Sequence, residues 1–131
     1  MAKITTFFMF NGQAEEAIRF YVSLFDDSEI LDIMYNEDGS VLQAVFAIQG
    51  QTFMAIDSTV EHDFAFTPSV SLYVTCESDG EIDQAYNKLK SGGAILMPLD
   101  TYPFSKKFGW VQDRFGVSWQ LNLPEPEQPL N

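Results

Sequence analysis

Two stretches of this chain repeat one another. Gly50-Gln51-Thr52-Phe53-Met54-Ala55-Ile56-Asp57 and Gly116-Val117-Ser118-Trp119-Gln120-Leu121-Asn122-Leu123 each set a glycine ahead of an alternating strand, with Phe53 and Trp119 at the same offset from it. Each follows another strand. Val41 to Gln49 precedes the first, and a strand ending at Gln112 precedes the second, where Asp113 to Gly116 supply the turn residues. A hairpin that recurs at constant spacing restricts the chain to a fold built twice from one unit.

The segments between the hairpins fit that reading. Ile4 to Phe10 is an apolar strand closed by Asn11-Gly12, and Gln13 to Phe25 carries Ala14, Ala17, Ile18, Tyr21, Leu24 and Phe25 at helical spacing. Asn11 or Gly12 is the expected cap of that helix, and Glu15 and Glu16 sit in its first turn, where the helix dipole favours them. Glu29 to Tyr35 alternates as a strand before the turn Asn36-Glu37-Asp38-Gly39. After a linker from Ser58 to Pro68 the order starts again with a strand from Val70 to Cys76. Ser78-Asp79-Gly80-Glu81 is a capping box that opens a helix with Ile82, Ala85, Tyr86 and Leu89 on one face, and Gly92-Gly93 stops it. Strands are expected over 94–99, 106–112 and 117–123.

Both halves therefore read β-α-β-β-β, as repeats 3–57 and 69–124 of a single domain over residues 1–124, with a loose Pro/Glu tail over 125–131. One helix covers only one face of each sheet, so neither repeat closes a core alone. The expected fold is α+β: two repeats forming a cupped mixed β-sheet with the helices outside, in a homodimer.

Composition bounds the function. The chain has 131 residues and is 46% hydrophobic with 12 Phe, which implies a large apolar interior, an apolar cavity, or both. A net charge of −12 argues against nucleic acid and anionic membrane as partners, because the general field repels phosphate. The single cysteine, Cys76, rules out an internal disulfide and reads as an inert structural thiol in a reducing compartment. The N-terminal residues carry no signal pattern and no run of about 18 apolar residues occurs, so a cytoplasmic location is expected.

Phe10-Asn11-Gly12-Gln13-Ala14-Glu15-Glu16-Ala17-Ile18-Arg19-Phe20-Tyr21, Ser71-Leu72-Tyr73-Val74 and Asp113-Arg114-Phe115-Gly116-Val117-Ser118-Trp119-Gln120-Leu121 resemble the PhnB-like branch of the vicinal oxygen chelate superfamily, which includes glyoxalase I and the fosfomycin and bleomycin resistance proteins. The resemblance spans about residues 3 to 124 and implies the glyoxalase-like fold. The branch often carries a demethylubiquinone methyltransferase label. This sequence offers no glycine-rich strand-to-helix loop or parallel-sheet alternation of the kind used for nucleotide cofactors, so the label finds no support in it.

Enzymes of the superfamily hold one divalent metal on His, Gln or Glu side chains. The resemblance puts those positions at Thr6, Met54, Ser69 and Gln120, none of them a carboxylate or imidazole, and the only histidine, His62, lies in the linker. No metal and no cofactor are expected. Among the acids, Asp113 reads as a turn cap, Asp26-Asp27 as a solvated turn and Asp32 as an interruption of an apolar strand. Asp57, at a strand end, is the one acid placed to act as a base, beside its structural reading.

There remains a ligand cup. With Phe7, Met9, Val70, Leu72 and Trp119 taken as helix-facing, alternation turns Thr6, Phe8, Phe10, Ser69, Ser71, Tyr73, Ser118 and Gln120 inward. The candidate binding residues for a small, partly apolar molecule are Phe8, Phe10, Met54, Ser71, Tyr73, Trp110 and Gln120. Against this stands a cup or dimer interface filled by Phe8, Phe10, Tyr73 and Trp110. The loop Tyr102-Pro103-Phe104-Ser105-Lys106-Lys107 sets positive charge beside aromatics and could close over an acidic ligand. The alternatives to metal-free binding are an enzyme using a metal or Asp57, and an interaction module whose cup is plugged by its own Phe side chains.

Overall fold

The protein is described over residues 2–125 by a computed structural model. The elements run β1 (Thr6–Phe10), α1 (Ala14–Val22), β2 (Glu29–Tyr35), β3 (Val41–Ile48), β4 (Gln51–Asp57), β5 (Ser71–Thr75), α2 (Asp79–Lys90), β6 (Ala94–Tyr102), β7 (Ser105–Gln112) and β8 (Ser118–Leu123). They form two four-stranded mixed sheets, ordered β1-β4-β3-β2 and β5-β8-β7-β6. The chain divides into two compact units between Asp63 and Phe64, inside the stretch expected to be a linker. The expected tail lies, from residue 126 onward, outside the described residues.

The units share one topology and the same register in its parallel pair. Thr6 pairs with Phe53 and Ser71 with Ser118, so parallel partners are 47 residues apart in both. The other strand pairs are antiparallel. In the first unit β3 and β4 meet at a two-residue turn in which Gln49 (φ 51°) and Gly50 (φ 80°) are both left-handed, the turn that suits the twist of a tight hairpin. Gln49 bears that conformation because its amide Nε2 donates to Asp26 O (2.8 Å) and its backbone N–H to Ser28 Oγ (3.2 Å).

In the first unit Ala14, Ala17, Ile18 and Tyr21 are buried along one face of α1. The helix stops at Val22, three residues short of the expected end, and Leu24 and Phe25 are buried beyond it as irregular chain. Beneath α1 lies an aromatic layer. The Phe8 ring is 6.0 Å from Phe53, Phe46 is 5.5 Å from Phe53, and Tyr21 of the helix is 6.5 Å from Phe46. This inverts the expected phase of β1. Phe8 and Phe10 belong to the buried helix side, while Phe7, 49% exposed, shares the opposite face with its partner Met54. The strand reads Thr-Phe-Phe-Met-Phe, apolar on both faces, so alternation alone could not set its phase.

In the second unit α2 is capped by Ser78 as expected, its Oγ accepting from Glu81 N (3.1 Å), while the return bond to Glu81 Oε1 comes from Glu77 N (2.9 Å), one residue before the cap. Ile82, Ala85, Tyr86 and Leu89 are its buried face. Tyr86 lies directly over Gly109 of β7, whose partner on β8 is Leu121. Trp119 and Val111, two residues along, share that helix-side face, as expected for Trp119. At the strand end, Lys107 Nζ reaches Asp83 (2.7 Å) and Asp79 (3.2 Å) on α2.

A methyl group at position 109 would stand 2.9 Å from Tyr86 Cδ1. Gly109→Ala is expected to lower stability by about 1–3 kcal/mol, since an overfilled contact forces helix and sheet apart. Thermal unfolding reads this, and Tyr86→Ala combined with Gly109→Ala should cost less than the two single changes added together.

Candidate functional site

On the side of the second sheet away from α2, three strands set their side chains in rows. Register places Ser71, Ser118 and Gln112 in one row, Tyr73, Gln120 and Trp110 in the next, and Thr75, Asn122 and Phe108 in the third. Gln120 therefore stands between two aromatic residues, one on each neighbouring strand. Four of the expected ligand-binding residues, Ser71, Tyr73, Trp110 and Gln120, are brought together here.

Hydrogen bonds join the first two rows. Trp110 Nε1 donates to Ser118 Oγ (2.8 Å), Ser118 Oγ and Ser71 Oγ are 2.6 Å apart, and Gln120 Nε2 donates to Ser71 Oγ (3.3 Å). Ser118, 1% exposed, is the hub. It was expected on this face but not among the binding residues, although its place two residues before Gln120 marks it as a neighbour on the same face. The third row continues into an aromatic group. Phe108 lies 6.4 Å from Tyr73 and 5.0 Å, edge-on, from Phe104, which stacks at 5.6 Å on Tyr102. The Tyr102–Lys107 loop is thus a β6–β7 turn whose aromatic residues pack on this sheet.

The other expected binding residues lie in the first unit. Met54 is on the open face of its sheet with Phe7, and Phe8 and Phe10 are in the helix-side core.

Asp57 is buried, and its carboxylate is held by backbone. Oδ1 accepts from Gly12 N and Ala14 N, both at 2.9 Å, and Oδ2 accepts from Val41 N at 2.9 Å. The first helix is thereby capped from a distant strand. Gln13 at its N-cap makes no side-chain cap, and neither Asn11 nor Gly12 supplies one, contrary to expectation. Asp113 fulfils its expected turn role. Its Oδ1 accepts from Phe115 N (2.9 Å) and Val117 N (3.0 Å), and its Oδ2 takes the Trp119 indole N–H (2.9 Å).

The superfamily's metal can be tested against these residues. Thr6 shares the Phe53 side of the first sheet and Met54 the opposite side, so the two cannot meet at one ion. Phe7, the strand neighbour that does share Met54's face, has no donor atom. Ser69 Oγ is 2.8 Å from Thr67 Oγ1. Among the described residues no three His, Cys, Asp or Glu side chains gather as a ligand set. Hydroxyl, thioether and amide groups in this disposition do not fit a divalent ion.

A profile of the family described as 3-demethylubiquinone-9 3-methyltransferase matches residues 2–122. The chain belongs to that family. It is 58% identical to a PhnB protein from Bacillus cereus, covering 93% of this chain and 99% of that one with a TM-score of 0.91. More distant structures share the fold. A glyoxylase/bleomycin resistance protein/dioxygenase domain from Frankia matches at 16% identity over 98% of this chain and 96% of its own, with a TM-score of 0.70. The fosfomycin resistance protein FosX from Listeria monocytogenes matches at 11% identity over 97% of each chain, with a TM-score of 0.68. These matches show the glyoxalase-like fold that the sequence resemblance implies. No curated protein matches the chain. Among the described residues no helix is long and apolar enough to cross a membrane.

Two outcomes follow from the buried groups. Asp57→Asn turns an acceptor into a donor opposite one of three backbone N–H groups, so unfolding free energy in urea should fall by about 2–3 kcal/mol. Burial, with the Glu81 carboxylate nearby, pushes the Cys76 thiol up to about 12, so the protonated form dominates well past pH 8. Alkylation of Cys76 by iodoacetamide at pH 8 should run on the order of a thousandfold slower in the folded protein than in urea, where the thiol regains its ordinary pKa.

Proposed function

We propose that this protein binds a small, partly apolar molecule on the open face of its second sheet, without a resident metal. The observation that carries this is the hydrogen-bonded set Trp110, Ser118, Ser71 and Gln120, flanked by Tyr73 and Phe108 on one face of three adjacent strands. A few convergent polar groups among aromatic side chains are the usual make-up of a small-molecule site.

Methyl transfer, which the family description names, draws less support. Both sheets are mixed, and the strand-to-helix turns are Asn11-Gly12-Gln13 and Cys76-Glu77-Ser78, neither a glycine-rich phosphate loop. A chelate-type enzyme would need donors that the four matching positions lack. Asp57 as a base would have to act while holding three backbone amides. The same reading takes the protein as a cytoplasmic homodimer. Exposed Leu31, Met34 and Tyr35 on edge strand β2 support the pairing, and the lone buried thiol supports the compartment.

Native mass spectrometry of the purified protein, followed by a denaturing run, tests this. The expected result is a dimer carrying a non-covalent organic mass that is lost on denaturation and reduced in Tyr73→Ala. One divalent ion per chain would overturn the metal-free reading and restore the chelate enzyme.

A further inference from the structure

The proton count of the Ser71–Ser118 pair bears on the chemistry of its ligand. The two hydroxyls supply two protons. Trp110 Nε1 already donates to Ser118 Oγ and Gln120 Nε2 to Ser71 Oγ, and the 2.6 Å contact between the hydroxyls uses one O–H. One O–H is left over whichever way the pair is oriented. Among the described residues neither hydroxyl has another partner. Ser118 is buried, so a surplus proton there would point into protein, whereas Ser71 is half-buried on edge strand β5. The favoured order is therefore Trp110 N–H to Ser118, Ser118 O–H to Ser71, and Ser71 O–H outward. Gln120 Nε2, beside it, carries a second N–H.

From this donor-rich arrangement, beside which β6 sets Asp100 opposite Phe108, we infer that the site takes a neutral aryl or conjugated carbonyl compound. Its carbonyl oxygen accepts from Ser71 Oγ–H, and its plane rests against Tyr73 and Trp110. The inference rests on the binding reading above and sharpens it to a ligand class. The nine side chains of the three rows include no cation and no carboxylate. A carboxylate or phosphate ligand would find no counter-charge there, in a chain whose net charge is −12. An all-hydrocarbon ligand would leave the Ser71 donor without an acceptor and cost that hydrogen bond.

Three probes of one size separate these cases: acetophenone, ethylbenzene and benzoate, titrated into 15N-labelled protein at pH 7.5. The readouts are the Trp110 indole and Gln120 side-chain amide signals, with the buried Trp119 indole as internal reference and Trp110→Phe fixing the assignment. Acetophenone is expected to bind roughly tenfold tighter than ethylbenzene, as one hydrogen bond allows, and tighter still than benzoate. That preference should vanish in Ser71→Ala and return in Ser71→Thr, which keeps a hydroxyl. Ethylbenzene binding equal to acetophenone, tightest binding of benzoate, or an undiminished preference in Ser71→Ala would each overturn the carbonyl inference while leaving the binding face in place. If no probe moves either signal and no organic mass accompanies the native protein, both readings fall.

Discussion

The first unit hangs on the Asp57 carboxylate. Three pieces of chain that are far apart in sequence end at its two oxygens: the turn into α1 at Gly12 and Ala14, the start of β3 at Val41, and β4 itself. A helix N-terminus leaves backbone donors without partners, and a buried strand start does the same. One carboxylate satisfies both and adds its charge to the favourable end of the helix dipole. In the second unit that duty is divided. Ser78 and Glu81 cap α2 locally, and Asp113 spends its buried carboxylate on the β7–β8 turn and the Trp119 indole. Both aspartates are buried carboxylates that accept from several N–H groups at once.

That division explains what could be read in the sequence. Local signals held: the Ser78 box, the Asp113 turn, the strand order and the echo of Gly50 in Gly116 all depend on residues a few positions apart. The α1 cap did not, because its acceptor lies 43 residues from Ala14 and no short-range pattern announces it. Nor did the phase of β1, where Phe7, Phe8, Met9 and Phe10 give both faces the same hydrophobicity. On β8 the alternation is clean, and Ser118 and Gln120 share one face while Trp119 and Leu121 share the other, as expected. The binding residues drawn from β1 inherited that strand's inverted phase.

The two sheets are alike on their helix sides and differ on the others. Each helix side is a packed apolar core, Phe8, Phe46 and Phe53 in one unit, Val111, Trp119 and Leu121 in the other. The open side of the first carries Phe7, Met9, Met54 and Ile56, and that of the second carries hydroxyls, amides and aromatics. Core positions answer to volume, so they drift little in character, whereas an open face answers to whatever it meets.

The parallel pairing of first and last strands has a kinetic side. Within each unit the 47-residue separation must be closed before β1 can join β4, or β5 join β8. Closing such a loop costs on the order of 3 kcal/mol of chain entropy before the contacts that reward it exist. During synthesis the β2–β3–β4 meander is therefore the natural first structure, and β1, though made earliest, is the last strand to dock. In both units the strand made first is the one whose pairing has the longest loop to close.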